Sequence, residues 1–164
     1  MRAALVALLI CGAQPAFALA DLFRGEGVDP AMRDAVATCL EPGRQRDVDH
    51  CRFYVSDDCY NGDTDANICF LREAASWDDA MRSAYILAKA RMVDADDYDR
   101  SNGGPGQSGA MLEESQRLFE AYRAQTCLAE AEPFGGYEGE RTYATCLITL
   151  TSDRAVVLTI WGEI

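Results

Sequence analysis

Phe70-Leu71-Arg72-Glu73-Ala74-Ala75-Ser76-Trp77-Asp78-Asp79-Ala80-Met81-Arg82-Ser83-Ala84-Tyr85-Ile86-Leu87-Ala88-Lys89-Ala90-Arg91-Met92 is the most regularly patterned stretch of this 164-residue chain. Phe70, Ala74, Trp77, Met81, Tyr85, Ala88 and Met92 recur at spacings of four and three, which lays them along one face of a single long helix. Thr64 is the expected N-cap. At the far end the acidic run Asp94 to Asp99 opposes the helix dipole, which predicts a frayed last turn before Ser101.

Working outward, Ser101 to Gly109 reads as a flexible connection. Leu112, Ser115, Phe119, Tyr122 and Thr126 then repeat the spacing, predicting a helix over about 110–131. Pro133 and Gly135-Gly136 mark a loop from Glu132 to Gly139. A last segment from Glu140 presents Tyr143, Leu147, Leu150, Val157 and Trp161. Its end, Val156 to Ile160, is β-branched, but nothing else in the chain offers a strand for its backbone to pair with, so it too is expected to be helical. Upstream, Asp29-Pro30 starts a short helix that runs to about Leu40 and stops at Pro42-Gly43. A second short helix is expected from about Asp47 to Tyr60, with Val48, Cys51, Val55 and Cys59 on one face. The fold class that follows is all-α: a small bundle of three to five helices around a long central one, stapled by disulfides.

Met1-Arg2, the apolar run Ala3 to Ile10 and the small residues Pro15-Ala16-Phe17-Ala18-Leu19-Ala20 have the order of a secretory signal, so residues 1–20 are expected to be removed and 21–164 to form one domain. Cys11 follows Ile10, where lipoprotein processing needs a small residue. The leader is too short to span a bilayer, and no membrane span is expected later in the chain. Its loss moves the formal charge from −12 to −13. Such a surface repels phosphate backbones and anionic headgroups; it favours basic proteins or cations.

Outside the leader stand Cys39, Cys51, Cys59, Cys69, Cys127 and Cys146, an even number for an oxidising compartment. Joining sequence neighbours gives Cys39 with Cys51, Cys59 with Cys69, and Cys127 with Cys146, one of the 15 pairings six cysteines allow. There is no C-x-x-C, and the single His50 completes no zinc cluster. Gly104-Pro105-Gly106-Gln107-Ser108-Gly109 fits G-x-G-x-x-G but lacks the preceding strand that dinucleotide binding needs, so it reads as a linker. Asp57 to Asp65 fails as an EF-hand: with Gly62 at the sixth position, Cys59 and Ile68 fall where carboxylates are required. A weaker cation site among Asp57, Asp58, Asp63 and Asp65 gives way to helix capping. No catalytic residue, cofactor site or metal site is assigned.

From Cys59 onward the residue order resembles the LprI family of small exported bacterial domains. Cys59, Cys69, Glu73 and Trp77 lead into Asp78, Met81, Arg82 and Tyr85, where the family has D-x-x-L-N-x-x-Y. Leu112, Gln116, Phe119, Tyr122-Arg123 and Cys127 are similar to its L-x-x-x-Q-x-x-W-x-x-[YF]-R-x-x-x-C. Cys146, Thr151, Arg154 and Leu158 match the closing C-x4-T-x2-R-x3-L. The resemblance spans residues 59–158, with Met81, Arg82 and Phe119 as departures.

The resemblance implies an exported helical domain, periplasmic or secreted, that is not an enzyme and binds a basic protein such as lysozyme, inhibiting it or a related cell-wall glycosidase. The alternative is a structural or stress-related periplasmic protein. Trp77, Tyr85, Phe119, Tyr122 and Leu158 fall on the predicted buried stripes, so most matched residues have a structural reading. Glu73, Arg123 and Arg154 are expected in ion pairs or capping carbonyls near those stripes. A binding surface is expected on the Glu132 to Arg141 loop, through Phe134, Tyr137 and Arg141.

Overall fold

The computed structural model describes residues 28–43, 48–53, 56 and 65–163. Among these are five helices and no strand: α1 (Pro30–Cys39), α2 (Val48–Cys51), α3 (Ala66–Ser101), α4 (Ser108–Ala131) and α5 (Gly136–Glu163). Asp29 caps α1 as its sequence dictates, its carboxylate accepting from the amides of Ala31 at 2.8 Å and Met32 at 3.3 Å.

The central helix α3 is 36 residues long, and its N-cap is Asp65, which accepts from the Asn67 amide, rather than Thr64, which lies outside the described residues. Its acidic end does not fray. Asp96 faces inward and its carboxylate accepts from Ser108 N at 2.7 Å and Gly109 N at 2.8 Å. An acid that opposes the dipole of its own helix thereby caps the N-terminus of the next, where negative charge is favoured. Asp99 accepts from Gly106 N, and Arg100 donates to Gly106 O, each within 2.8 Å. The expected flexible connection is therefore a tight turn. Gly106 sits at φ +51°, and a Cβ there would come within 2.5 Å of the Asp96 carbonyl, so this glycine of the G-x-G-x-x-G pattern serves close packing.

The expected helix from Asp47 to Tyr60 is also corrected. Among the described residues Val48–Cys51 and Ser56 are helical, and between them Phe53 stands at φ 67°, which no α-helix continues through. Val55 and Cys59 lie outside the described residues. The loop between α4 and α5 shrinks to residues 132–135, which puts Tyr137 and Arg141 on α5. This is possible because Gly139 rests against α4: a Cβ on it would lie 3.2 Å from the Ala131 carbonyl.

Helices α3 and α5 run parallel, from the Asn67 side chain on the Tyr137 carbonyl at one end to Arg91 on the Gly162 carbonyl at the other. Helix α4 is the antiparallel return. Val36, Trp77, Met81, Ala88, Leu112, Ile148 and Leu158 are buried between them, with Phe70, Tyr85, Met92, Phe119 and Trp161 half-buried at the margin. Each fully buried large apolar side chain contributes about 1.5–3 kcal/mol. Two residues placed on the buried stripes are exposed: Tyr122 at 57 % and Val157 at 37 %. In α4 the inward line is Leu112, Gln116, Phe119, Arg123 and Cys127, one position on from Tyr122, because Arg123 has polar partners inside.

Disulfides join Cys39 to Cys51 and Cys127 to Cys146. Cys69 is also disulfide-bonded; Cys59, expected as its partner, lies outside the described residues. Contrary to expectation, α5 is long and apolar enough to cross a membrane by length and composition, with a window of mean hydropathy 1.2. Its apolar side chains nonetheless include core residues, Tyr143, Leu147, Ile148, Ala155 and Leu158 among them.

Candidate functional site

A chain of buried polar groups runs through the bundle beside Trp77. Glu73 is fully buried; its Oε1 accepts from Phe53 N at 2.8 Å and Trp77 Nε1 at 3.2 Å, and its Oε2 from Ser56 N at 3.1 Å. It therefore pins the segment after α2 onto α3 through N–H donors, where an ion pair or carbonyl cap was expected. One turn on, Asp78 accepts from Arg123 Nη1 at 2.7 Å, and the same nitrogen donates to Thr151 Oγ1 at 2.9 Å. Asp78 also holds the exposed Arg82 at 2.8 Å, so the arginine that replaces the family's asparagine pairs within its own helix. Arg123 thus ties α3, α4 and α5 at one level.

A second guanidinium lies two turns away. Arg154 Nε donates to Gln116 Oε1 at 3.0 Å and Nη2 to Ser115 Oγ at 3.2 Å, and its plane lies between the rings of Phe119 and Trp161, about 5.5 Å from each centroid. Burial lowers its pKa from the usual guanidinium value, and it stays charged at neutral pH. Gln116 also donates to Glu120 and contacts the Met81 sulfur. Tyr85 is half-buried with Lys89 over its ring. A third guanidinium, Arg52, reaches Ser152, Asp49 and Asp153, which fixes α2 on α5; nothing in local sequence pattern marked it.

Of the residues expected to bind, Phe134 is 63 % and Tyr137 49 % exposed, at the turn between α4 and α5. Arg141, also exposed, stands one turn beyond Tyr137 on α5 and lies over Phe70 with 5.5 Å to the ring centroid.

His50 is exposed on α2. Burial pushes the Tyr143 phenol up, against the opposing charge of Arg123. The three described hollows, of about 350 to 440 Å³, are each lined by at most one carboxylate. Among the described residues no group of three His, Cys, Asp or Glu stands close enough to hold a metal; Asp57, Asp58 and Asp63 lie outside them.

The buried residues Cys69, Glu73, Trp77, Asp78, Gln116, Cys127, Cys146, Thr151 and Leu158, with the half-buried Arg123, fall within residues 56–158, over which the sequence matches the family described as lysozyme inhibitor LprI. The chain belongs to the LprI family. No curated protein and no solved structure matches it. The LprI match begins beside the Glu73 anchor, at Ser56, and takes in nearly all of the three long helices, so α1 and α2 are additions on its N-terminal side.

Proposed function

We propose that the chain is an exported, non-enzymatic domain that binds and inhibits a lysozyme or a related cell-wall glycosidase. The observation that carries this reading is the match to the lysozyme inhibitor family over residues 56–158. The net charge of −12 supports it, because an acidic inhibitor gains electrostatic steering toward a basic enzyme. Disulfides fit an oxidising compartment, and the order of residues 1–20 fits a cleaved leader, giving a periplasmic or secreted location. Phe134 and Tyr137 are candidate contact residues.

The test is lysis of a peptidoglycan suspension by c-type lysozyme with and without the mature protein. Slower lysis at low salt is expected; failure to slow any lysozyme class would overturn the reading. One observation favours a second reading, a structural periplasmic protein: Glu73, Trp77, Asp78, Gln116 and Arg123 all act inside the bundle. Recovery of a single non-lysozyme partner from periplasmic extract would support that alternative.

A further inference from the structure

Among the described residues Arg154 has no acidic partner. Arg52 and Arg123 each hold a carboxylate, whereas Arg154 donates to two neutral oxygens, Gln116 Oε1 and Ser115 Oγ. A partly desolvated cation left this way leaves room for a carboxylate brought from outside.

The surface around it has the composition of an interface core. Met111 is 69 % and Leu118 53 % exposed, and with Ser115 they border a hollow of about 440 Å³. Met111, Ser115 and Trp161 border an adjoining hollow of about 350 Å³. Tyr122 stands one turn beyond Leu118 on α4, and Val157 stands between Arg154 and Trp161 on α5. Methionine, aromatic residues and arginine are the types enriched in interface cores. Glu114, which borders the first hollow, is occupied by Arg117. Contiguous exposed apolar surface of this kind marks a docking site.

We infer that the outer face shared by α4 and the C-terminal half of α5, centred on Arg154, docks a basic glycosidase that presents a carboxylate to this guanidinium. The partner's identity rests on the inhibitor reading; the choice of face does not. Attraction to the acidic body calls for a basic partner, and glycosidases carry the paired carboxylates of their chemistry in an open cleft. The turn residues Phe134 and Tyr137 lie at the opposite end of α4 from Met111.

The experiment measures inhibition and direct binding of c-type lysozyme by the wild-type protein and by Met111→Asp/Leu118→Asp, with Tyr122→Asp as a second variant. All three positions are exposed, so thermal unfolding is expected to match wild type. The double variant is expected to weaken inhibition at least about 30-fold. Wild-type potency in both variants overturns the face while the inhibitor reading stands. Absence of binding by the wild type overturns that reading and, with it, the partner named here.

Discussion

Glu73 gathers three N–H donors on one carboxylate with no solvent to replace them. Removing it strands the amides of Phe53 and Ser56 and the Trp77 indole, each at a cost of about 1–3 kcal/mol. Glu73→Ala is therefore expected to lose at least about 3 kcal/mol in urea unfolding, and a loss under about 1 kcal/mol would show that water reaches the vacated site. The sequence marks this residue as a family position but not its partners. Two of the three lie 17 and 20 residues upstream, at and just after Phe53, whose positive φ a helical pattern does not announce. Arg123 shows the same limit. Its neighbour Tyr122 is the better core residue by composition, yet the pull of Asp78 and Thr151 turns α4 so that the arginine faces in and the tyrosine out.

Among elements, the junction of α3 and α4 turns on Asp96. Amide bonds, that from Gly109 foremost, hold its carboxyl below the ordinary value of 3.8, and burial opposes them. A carboxyl with a depressed folded-state pKa stabilises the fold above the ordinary carboxylate range, and this stabilisation is lost as pH falls through the lowered value. Asp96→Asn is thus expected to melt at a lower temperature than wild type at neutral pH. The gap should narrow below about pH 4 and close in stronger acid, as followed by far-UV circular dichroism. A gap that stays constant with pH would show that the amide contacts do not depend on the charge. At the other junction, Cys127–Cys146 closes a segment of 19 residues between α4 and α5. The Cys127→Ala/Cys146→Ala pair is expected to cost about 3 kcal/mol by denaturant titration, since the cross-link chiefly restricts the unfolded chain. An unchanged midpoint would place the stability of this hairpin in packing alone.

For the whole molecule, the excess of acid sets how it meets a partner. Screening shortens the reach of charge from about 30 Å at 0.01 M salt to about 3 Å at 1 M. Association with a basic lysozyme is expected to slow at least about tenfold across that range in stopped-flow or surface-capture measurements, with dissociation changing less. Salt-independent association would remove steering from the inhibitor reading.

The all-helical class, the long central helix and its main buried line were legible in the amino-acid order, because hydrophobic spacing, the Asp29-Pro30 start and glycine breaks act within a few residues of chain. That order also carried the family, because the spacing of Cys, Trp, Gln and Arg persists without reference to contacts. Packing of the helices alone settled that Asp96 caps a neighbouring helix, that Arg123 rather than Tyr122 turns inward, and that Arg154 lies over two rings with no acid among the described residues. Those outcomes depend on groups brought together from distant parts of the chain, where one hydrogen bond or ion pair outweighs the local preference for which face is buried.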